Sequence, residues 1–243
     1  MVSDIDGTLL KEGKPTEGLD DLKQMLKRHH DQISLVYATG RSFESVRRLV
    51  ADDILPQPAA VAAFVGTEVW LPKWQRPSPF YRELIRHDWN RDTVLYAARH
   101  IKGLTPQADE FQTPFKVSFE VKENAKVIDL TTLLNASGIE ARAVYSCGRY
   151  LDILPKAAGK RAAVEYLSRT FNIPAKNIVT CGDSGNDLDM LTNPATYNVA
   201  VGNAEEEVAL LSDYAWFYQA SQHYAEGVME GTEAFKFWPS KSA

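Results

Sequence analysis

The sequence predicts an α/β protein: a doubly wound parallel sheet that carries an inserted, smaller α+β domain of αββαββ order. Three observations predict it. Short apolar runs rich in β-branched residues alternate with amphipathic stretches toward both ends of the chain, the pattern made by the strands and covering helices of a parallel sheet. Between residues 79 and 154 the alternation changes to helix, strand, strand, twice over. Acidic and glycine-rich motifs stand directly after apolar runs, where sheets of this class bind ligands.

The first run is short. Only Met1, Val2 and Ser3 precede Asp4, while a buried strand usually offers about four to eight apolar residues. Either the chain starts late or the segment belongs to a longer polypeptide. An amphipathic helix is expected over 18–30, a buried strand over 33–38 (ISLVYA), a helix over 42–52 and a strand over 60–65. The proline-rich stretch 72–79 (PKWQRPSP) reads as the outgoing linker. The insert then predicts a helix over 88–100, two strands of which the second is 116–121, a helix over 125–137, and strands over 141–146 and 150–154. Residues 155–159 form the return. Beyond it come a helix over 160–171, strands over 178–181 and 197–201, and helices over 187–191 and 205–212. The tail after Pro239 is expected to fray. The core thus comprises 1–78 and 155–243, and the insert 79–154.

Composition excludes several classes. Apolar residues make up 44 % and charged residues 24 % of the 243 residues, as in globular proteins with a proper core. A net charge of −5 without basic clustering speaks against nucleic acid. No long apolar run suits a bilayer, and no N-terminal stretch reads as a signal peptide. Cys147 and Cys181 are too few for a disulfide framework and lack zinc-site spacing, so the expected compartment is the reducing cytoplasm.

Four segments carry chemistry. In Asp4-Ile5-Asp6-Gly7-Thr8 two carboxylates two residues apart point the same way at a strand's end; a solvated turn accounts for the bare pair equally well. Cys181-Gly182-Asp183-Ser184-Gly185-Asn186-Asp187 adds Asp183 and Asp187 after another apolar run. Taken alone it suits a helix cap, but four carboxylates at strand ends favour a hard cation, magnesium above all. Thr39-Gly40-Arg41-Ser42 closes a strand and opens a helix, which is both a capping segment and an anion site. Lys160, near a helix start, is placed to reach a phosphate as a point charge, with Lys156 as its neighbouring rival.

In this order the segments DIDGT, TGR, Lys160 and GDSGND resemble the haloacid dehalogenase superfamily of phosphohydrolases, and an insert between the second and third motifs resembles its second class of cap in the smaller variant. Within it the chain is similar to the sucrose-phosphatase family over nearly its full length, through YATGRS (37–42), VGTE (65–68), HDWNRD (87–92), TPFKVSF (113–119), YSCGRYLDILP (145–155) and GDSGND. The spacing from Pro155 to Lys160 resembles that family's P-x4-K arrangement, a likeness that favours Lys160 over Lys156. Gly7 stands where that family often carries Asn, and the first strand is cut short.

The resemblance implies a magnesium-dependent phosphatase that hydrolyses sucrose-6-phosphate through an aspartyl-phosphate. Asp4 would be the nucleophile and Asp6 the general acid and base. Mg2+ would be held by the Asp4 and Asp183 side chains and the Asp6 carbonyl. Asp187 would orient Lys160, while Thr39, Gly40 and Lys160 would bind the phosphoryl oxygens. Glu68, Lys116, Ser146 and Asp152 are candidates for the sugar, with Asn186 as a further substrate contact and Arg41 either contacting the substrate or only pairing with a core carboxylate. Mannosylfructose phosphate and trehalose phosphate are the alternative substrates. A catalytically silent domain that regulates a sugar-phosphate synthase is the non-enzymatic alternative. The expected partner is a small sugar phosphate, with room for association with or fusion to a sucrose-phosphate synthase, and the expected state is a monomer.

Overall fold

A computed structural model describes residues 1–71, 73, 75–122, 124–211 and 214–239. Pro72 and Trp74 of the expected outgoing linker, Ser212 at the end of the last expected helix, and residues 240–243 of the tail lie outside the described residues. The chain runs from β1 (Val2–Ser3) through a hairpin of β2 (Leu10–Lys11) and β3 (Lys14–Pro15). Next come α1 (Leu19–Arg28), β4 (Val36–Ala38), α2 (Phe43–Ala51), β5 (Ala60–Ala63), β6 (Glu68–Trp70) and α3 (Pro79–Ile85). The middle supplies α4 (Arg91–Ala98), β7 (Leu104–Pro106), β8 (Val117–Val121), α5 (Asn124–Ala136), β9 (Ala141–Ser146) and β10 (Tyr150–Pro155). The last part adds α6 (Lys160–Thr170), β11 (Val179–Gly182), α7 (Leu188–Leu191), β12 (Tyr197–Ala200), α8 (Glu206–Ala209), β13 (Phe217–Gln219) and α9 (Tyr224–Ala234).

Seven strands form one sheet in the order β13-β12-β11-β1-β4-β5-β6, parallel except for β6, which turns back on β5. Its inner strands are buried on both faces, which explains their unbroken apolar runs. Alternation along each strand divides the side chains between two layers. Tyr37, Val61, Ala63 and Val199 join the layer of α1 and α9, whereas Val36, Ala38, Ala62 and Ala200 face the layer of α6. The expected strand 33–38 is paired only from Val36, opposite Val2 of β1 on one side and Ala60 of β5 on the other.

The second sheet, β7-β8-β10-β9, is antiparallel throughout. Val117, Phe119, Val121, Leu151 and Ile153 pack from one face onto Val94, Ala97, Leu130 and Leu134 of α4 and α5. Ser118, Asp152 and Ser146, on the other face, are free for polar work. One element falls differently from expectation. Residue 79, the expected start of the insert, opens α3, and Tyr81 and Ile85 of α3 pack with Val36, Ala62 and Val164 of the large sheet's layer. A proline in its first turn and the Ser78 side chain, which accepts from the Tyr81 N–H, start this helix. The Tyr81 hydroxyl donates to the Gly66 carbonyl at 2.7 Å. No helix among the described residues is long and apolar enough to cross a membrane.

Candidate active site

The motifs converge at the carboxyl edge of the large sheet. Asp4 leaves β1, Thr39 leaves β4 and Asp183 leaves β11. Central parallel strands end side by side, so residues far apart in sequence share one crevice. Asp4 is held there by its backbone N–H, which donates to the Cys181 carbonyl at 2.9 Å. Gly7 (φ 85°) lets the chain turn away at once, and a Cβ at this position would overlap the Asp183 carboxylate.

Lys160, in the first turn of α6, is wholly buried and ties the site together. Its Nζ donates to Asp4 Oδ1 and to Asp187 Oδ1, both at 2.7 Å. Asp187 is fixed in turn, because its Oδ2 accepts from the backbone N–H groups of Asp183 (3.0 Å) and Ser184 (3.2 Å). Burial alone would lower the lysine pKa, yet the Asp187 and Asp4 carboxylates outweigh it and hold the ammonium charged. Thr8 donates to Asp183 Oδ1 at 2.8 Å.

Asp4, Asp183 and Asp187 bring carboxylate oxygens within 4.8 Å of one another. Desolvation pushes the Asp4 pKa up against the pull of Lys160, and desolvation, with the charges of Asp187 and Asp4, pushes Asp183 up to about 9. Like charges this close call for a proton or a cation between them. With Lys160 on one oxygen of Asp4 and Thr8 on one of Asp183, the second oxygen of each remains for a metal. An all-oxygen donor set of this kind fits a hard divalent ion.

The Asp6 side chain points elsewhere. Arg41 grips it with two parallel bonds of 2.6 Å and is itself braced by Ser45 at 3.0 Å. Arg41 therefore pairs with a carboxylate of the core. Thr39 is buried, and its Oγ1 accepts from the Arg41 N–H at 3.2 Å, while Ser42 caps α2. A Cβ at Gly40 would meet only Val65 at 4.0 Å, leaving this turn open to a ligand.

On the second sheet, Lys116 Nζ donates to Asp152 Oδ1 at 2.8 Å and to the Ser118 hydroxyl, and lies 5.9 Å from the ring centroid of Phe64 on the large domain. Lys116 and Asp152 therefore stand together, facing the core. Ser146 is buried at the end of β9 opposite Tyr150. Glu68 is tied to Trp70 Nε1 at 2.9 Å within its own strand, and no hydrogen bond described here joins it to the Lys116 group. Asn186 carries a buried Oδ1 without a partner among the described residues, and such an atom suits a ligand hydroxyl. Sequence reasoning missed Asn203 and Glu205. Asn203 donates to the Gly7 carbonyl at 2.7 Å. Glu205 accepts from the Gly185 N–H at 3.0 Å, and its own N–H donates to the Asp183 carbonyl at 2.7 Å. Both residues lie just past β12, and the motif spacing gives no signal for them.

A sequence profile of the family described as sucrose-6F-phosphate phosphohydrolase matches residues 1–236. The chain belongs to the sucrose-phosphatase family. A probable sucrose-phosphatase of Arabidopsis thaliana is 31 % identical over the whole of this chain, which spans 60 % of that protein's length. The mannosylfructose-phosphate phosphatase of Agrobacterium fabrum is 31 % identical over 95 % of this chain and 94 % of its own. The structure of the Synechocystis sucrose-phosphatase in complex with sucrose and phosphate is similar with a TM-score of 0.89 at 29 % identity, over 97 % of this chain and 96 % of the other. The fold alone is also that of a haloacid-dehalogenase subclass IIB sugar phosphatase, with a TM-score of 0.72 at 16 % identity over 97 % of this chain and 98 % of the other, as expected from the motif order.

Proposed function

We propose that this member of the sucrose-phosphatase family is a magnesium-dependent phosphatase of a phosphorylated disaccharide, with sucrose-6-phosphate as its substrate. The observation that carries the reading is Lys160 bridging Asp4 and Asp187 beside Asp183. A buried nucleophile, a fixed cation and a carboxylate group suited to a metal are what phosphoryl transfer asks of a protein. Asp4 attacks phosphorus and forms an aspartyl-phosphate. Asp6, once it leaves Arg41 and takes up a proton from solvent, gives it to the sugar oxygen as the bond from that oxygen to phosphorus breaks. It then takes a proton from the water that attacks the aspartyl-phosphate and releases phosphate from Asp4. Lys160, the Thr39 hydroxyl and the Gly40 N–H hold the phosphoryl oxygens. Mg2+ would be held by Asp4, Asp183 and the Asp6 carbonyl, and would neutralise charge on the phosphoryl group.

The insert from about residue 86 to 154 acts as the cap over this crevice and presents Lys116, Asp152 and Ser146 to the sugar, with Asn186 below. A companion synthase, covalent or separate, would deliver its product to the same crevice. Mannosylfructose phosphate is the second reading, favoured by a relative matched over nearly all of both chains. A panel of disaccharide and monosaccharide phosphates, with magnesium and with EDTA, tests the proposal. The expected result is turnover only with the metal and a much higher kcat/KM for sucrose-6-phosphate than for glucose-6-phosphate, because a pocket built for two rings leaves polar groups unpaired when one is missing. Equal efficiency on monosaccharide phosphates overturns disaccharide specificity, and preference for mannosylfructose phosphate selects the second reading.

A further inference from the structure

The edge strand of the second sheet, β9, is fastened to the active-site loops at both of its ends. At its start, Arg142 Nη1 donates to Asp189 Oδ2 at 2.6 Å. The same oxygen accepts the backbone N–H of Arg161 at 3.2 Å, in the first turn of α6 and next to Lys160. The packing is tight enough that a Cβ at Gly159 (φ 139°) would collide with both the Asp189 carboxylate and the Arg142 guanidinium. Just past its other end, the Cys147 N–H donates to Glu205 Oε1 at 2.9 Å. Glu205 Oε2 accepts from Gly185, and the Glu205 N–H holds the Asp183 carbonyl.

These bonds are not an ordinary surface ion pair. Exposed pairs contribute little to stability. Asp189 is instead largely buried, its other oxygen has no partner among the described residues, and its bonded oxygen links a cap residue to the helix that carries Lys160. Without the guanidinium, a desolvated carboxylate is left on one backbone N–H and has reason to shift. Lys160 must stay aligned with Asp4, and a displacement of about 1 Å in such a group costs catalysis heavily.

We propose that Arg142 and Glu205 are positioning residues. Arg142 sets Lys160 through Asp189, and Glu205 sets the Asp183 loop, so that the phosphoryl site is fully aligned only while β9 lies against it. The proposal rests on the phosphatase reading, and turnover by the unaltered protein tests that reading separately.

The test uses p-nitrophenyl phosphate, which has no sugar, beside sucrose-6-phosphate. Arg142→Ala is expected to lower kcat on both substrates by on the order of tenfold with KM little changed, and Arg142→Lys to recover much of it as a point charge on the same carboxylate. Glu205→Ala is expected to raise the magnesium concentration for half-maximal activity several-fold. Arg149→Ala, in the turn between β9 and β10, removes an exposed pair with Glu120 of β8 and is expected to leave all of these values unchanged. Should Arg142→Ala not fold, Arg142→Lys and Glu205→Ala decide by the same two readouts. If the variants fold with a lower Tm but with unaltered kcat and magnesium requirement, the two residues only hold the cap in place and the proposal is overturned. If the unaltered protein hydrolyses neither substrate, the phosphatase reading has failed instead.

Discussion

A lysine buried as completely as Lys160 keeps its charge only because two carboxylates meet it at 2.7 Å, and that arrangement separates it from the other buried lysine, Lys116. Both are ion-paired, but Lys160 faces Asp4, the proposed nucleophile, while Lys116 faces Asp152 and Ser118 on the second sheet. Lys160→Ala should therefore lower kcat on the order of 10²-fold or more on every substrate, p-nitrophenyl phosphate included. Lys116→Ala should remove a charged hydrogen bond to the sugar of about 1.5–3 kcal/mol, a loss of about tenfold to hundredfold in kcat/KM on the disaccharide phosphate. Its turnover of p-nitrophenyl phosphate should hardly change. Steady-state kinetics on the two substrates checks both, and equal damage by both variants on both substrates contradicts the division of labour. The motif residues were legible in the sequence, since Asp4, Thr39 and Asp183 each follow an apolar run and strands of a parallel sheet end together. Asn203, Glu205 and Arg142 were not legible, because their partners lie 196, 58 and 47 residues away and no local pattern announces such a bond. The Arg41 grip on Asp6 also shows only in three dimensions.

At the level of elements, the strands with continuous apolar runs and the helices with a clear amphipathic stripe were legible, as was the edge strand β9 at 141–146, while β2, β3, β6 and β13, of two or three residues each, were not. The β2–β3 hairpin has two residues a side, too few for a periodic signal. The last element, α9, contains Gly227 and Gly231, which weaken helical propensity; it is buried on its Ala225, Val228 and Thr232 face by the layer of Tyr37 and Val199. Tertiary packing outweighs the local preference there. The start of α3 reads as linker because of its prolines, although Ser78 and Pro79 are good helix-start residues. Its anchor can be tested. Tyr81→Phe removes the hydrogen bond to the Gly66 carbonyl from a fully buried site and leaves that carbonyl short of a partner, so it should cost about 1–3 kcal/mol. Urea unfolding should show the loss as a lower midpoint at unchanged slope. An unchanged midpoint means that the bond contributes nothing.

On the scale of the whole molecule, the two sheets meet over a cluster of carboxylates that burial makes unfavourable, and this ties stability to pH and metal together. Asp183 is pushed up to about 9 by desolvation and by its acidic neighbours, whereas an unfolded aspartate titrates near about 3.9. Between these values the metal-free folded state binds more protons than the unfolded one, so its stability falls as pH rises through that window. The proposed magnesium would compete with the proton for the same oxygens, so the gain in Tm on adding magnesium in place of EDTA should be larger at about pH 8.5 than at about pH 6. Thermal denaturation at the two pH values checks this, and a gain that is equal or shrinks with pH contradicts the assignment of Asp183 to the metal. The central claim is that Asp4 bonds to phosphorus, and acid-quenched mass spectrometry tests it most directly. In the Asp6→Ala variant, which lacks the base proposed for the second step, a quenched reaction with substrate and magnesium should show the phosphoryl group on Asp4, and Asp4→Asn should show neither label nor turnover. A label on Ser3 or Ser184, or turnover by Asp4→Asn, would contradict the account.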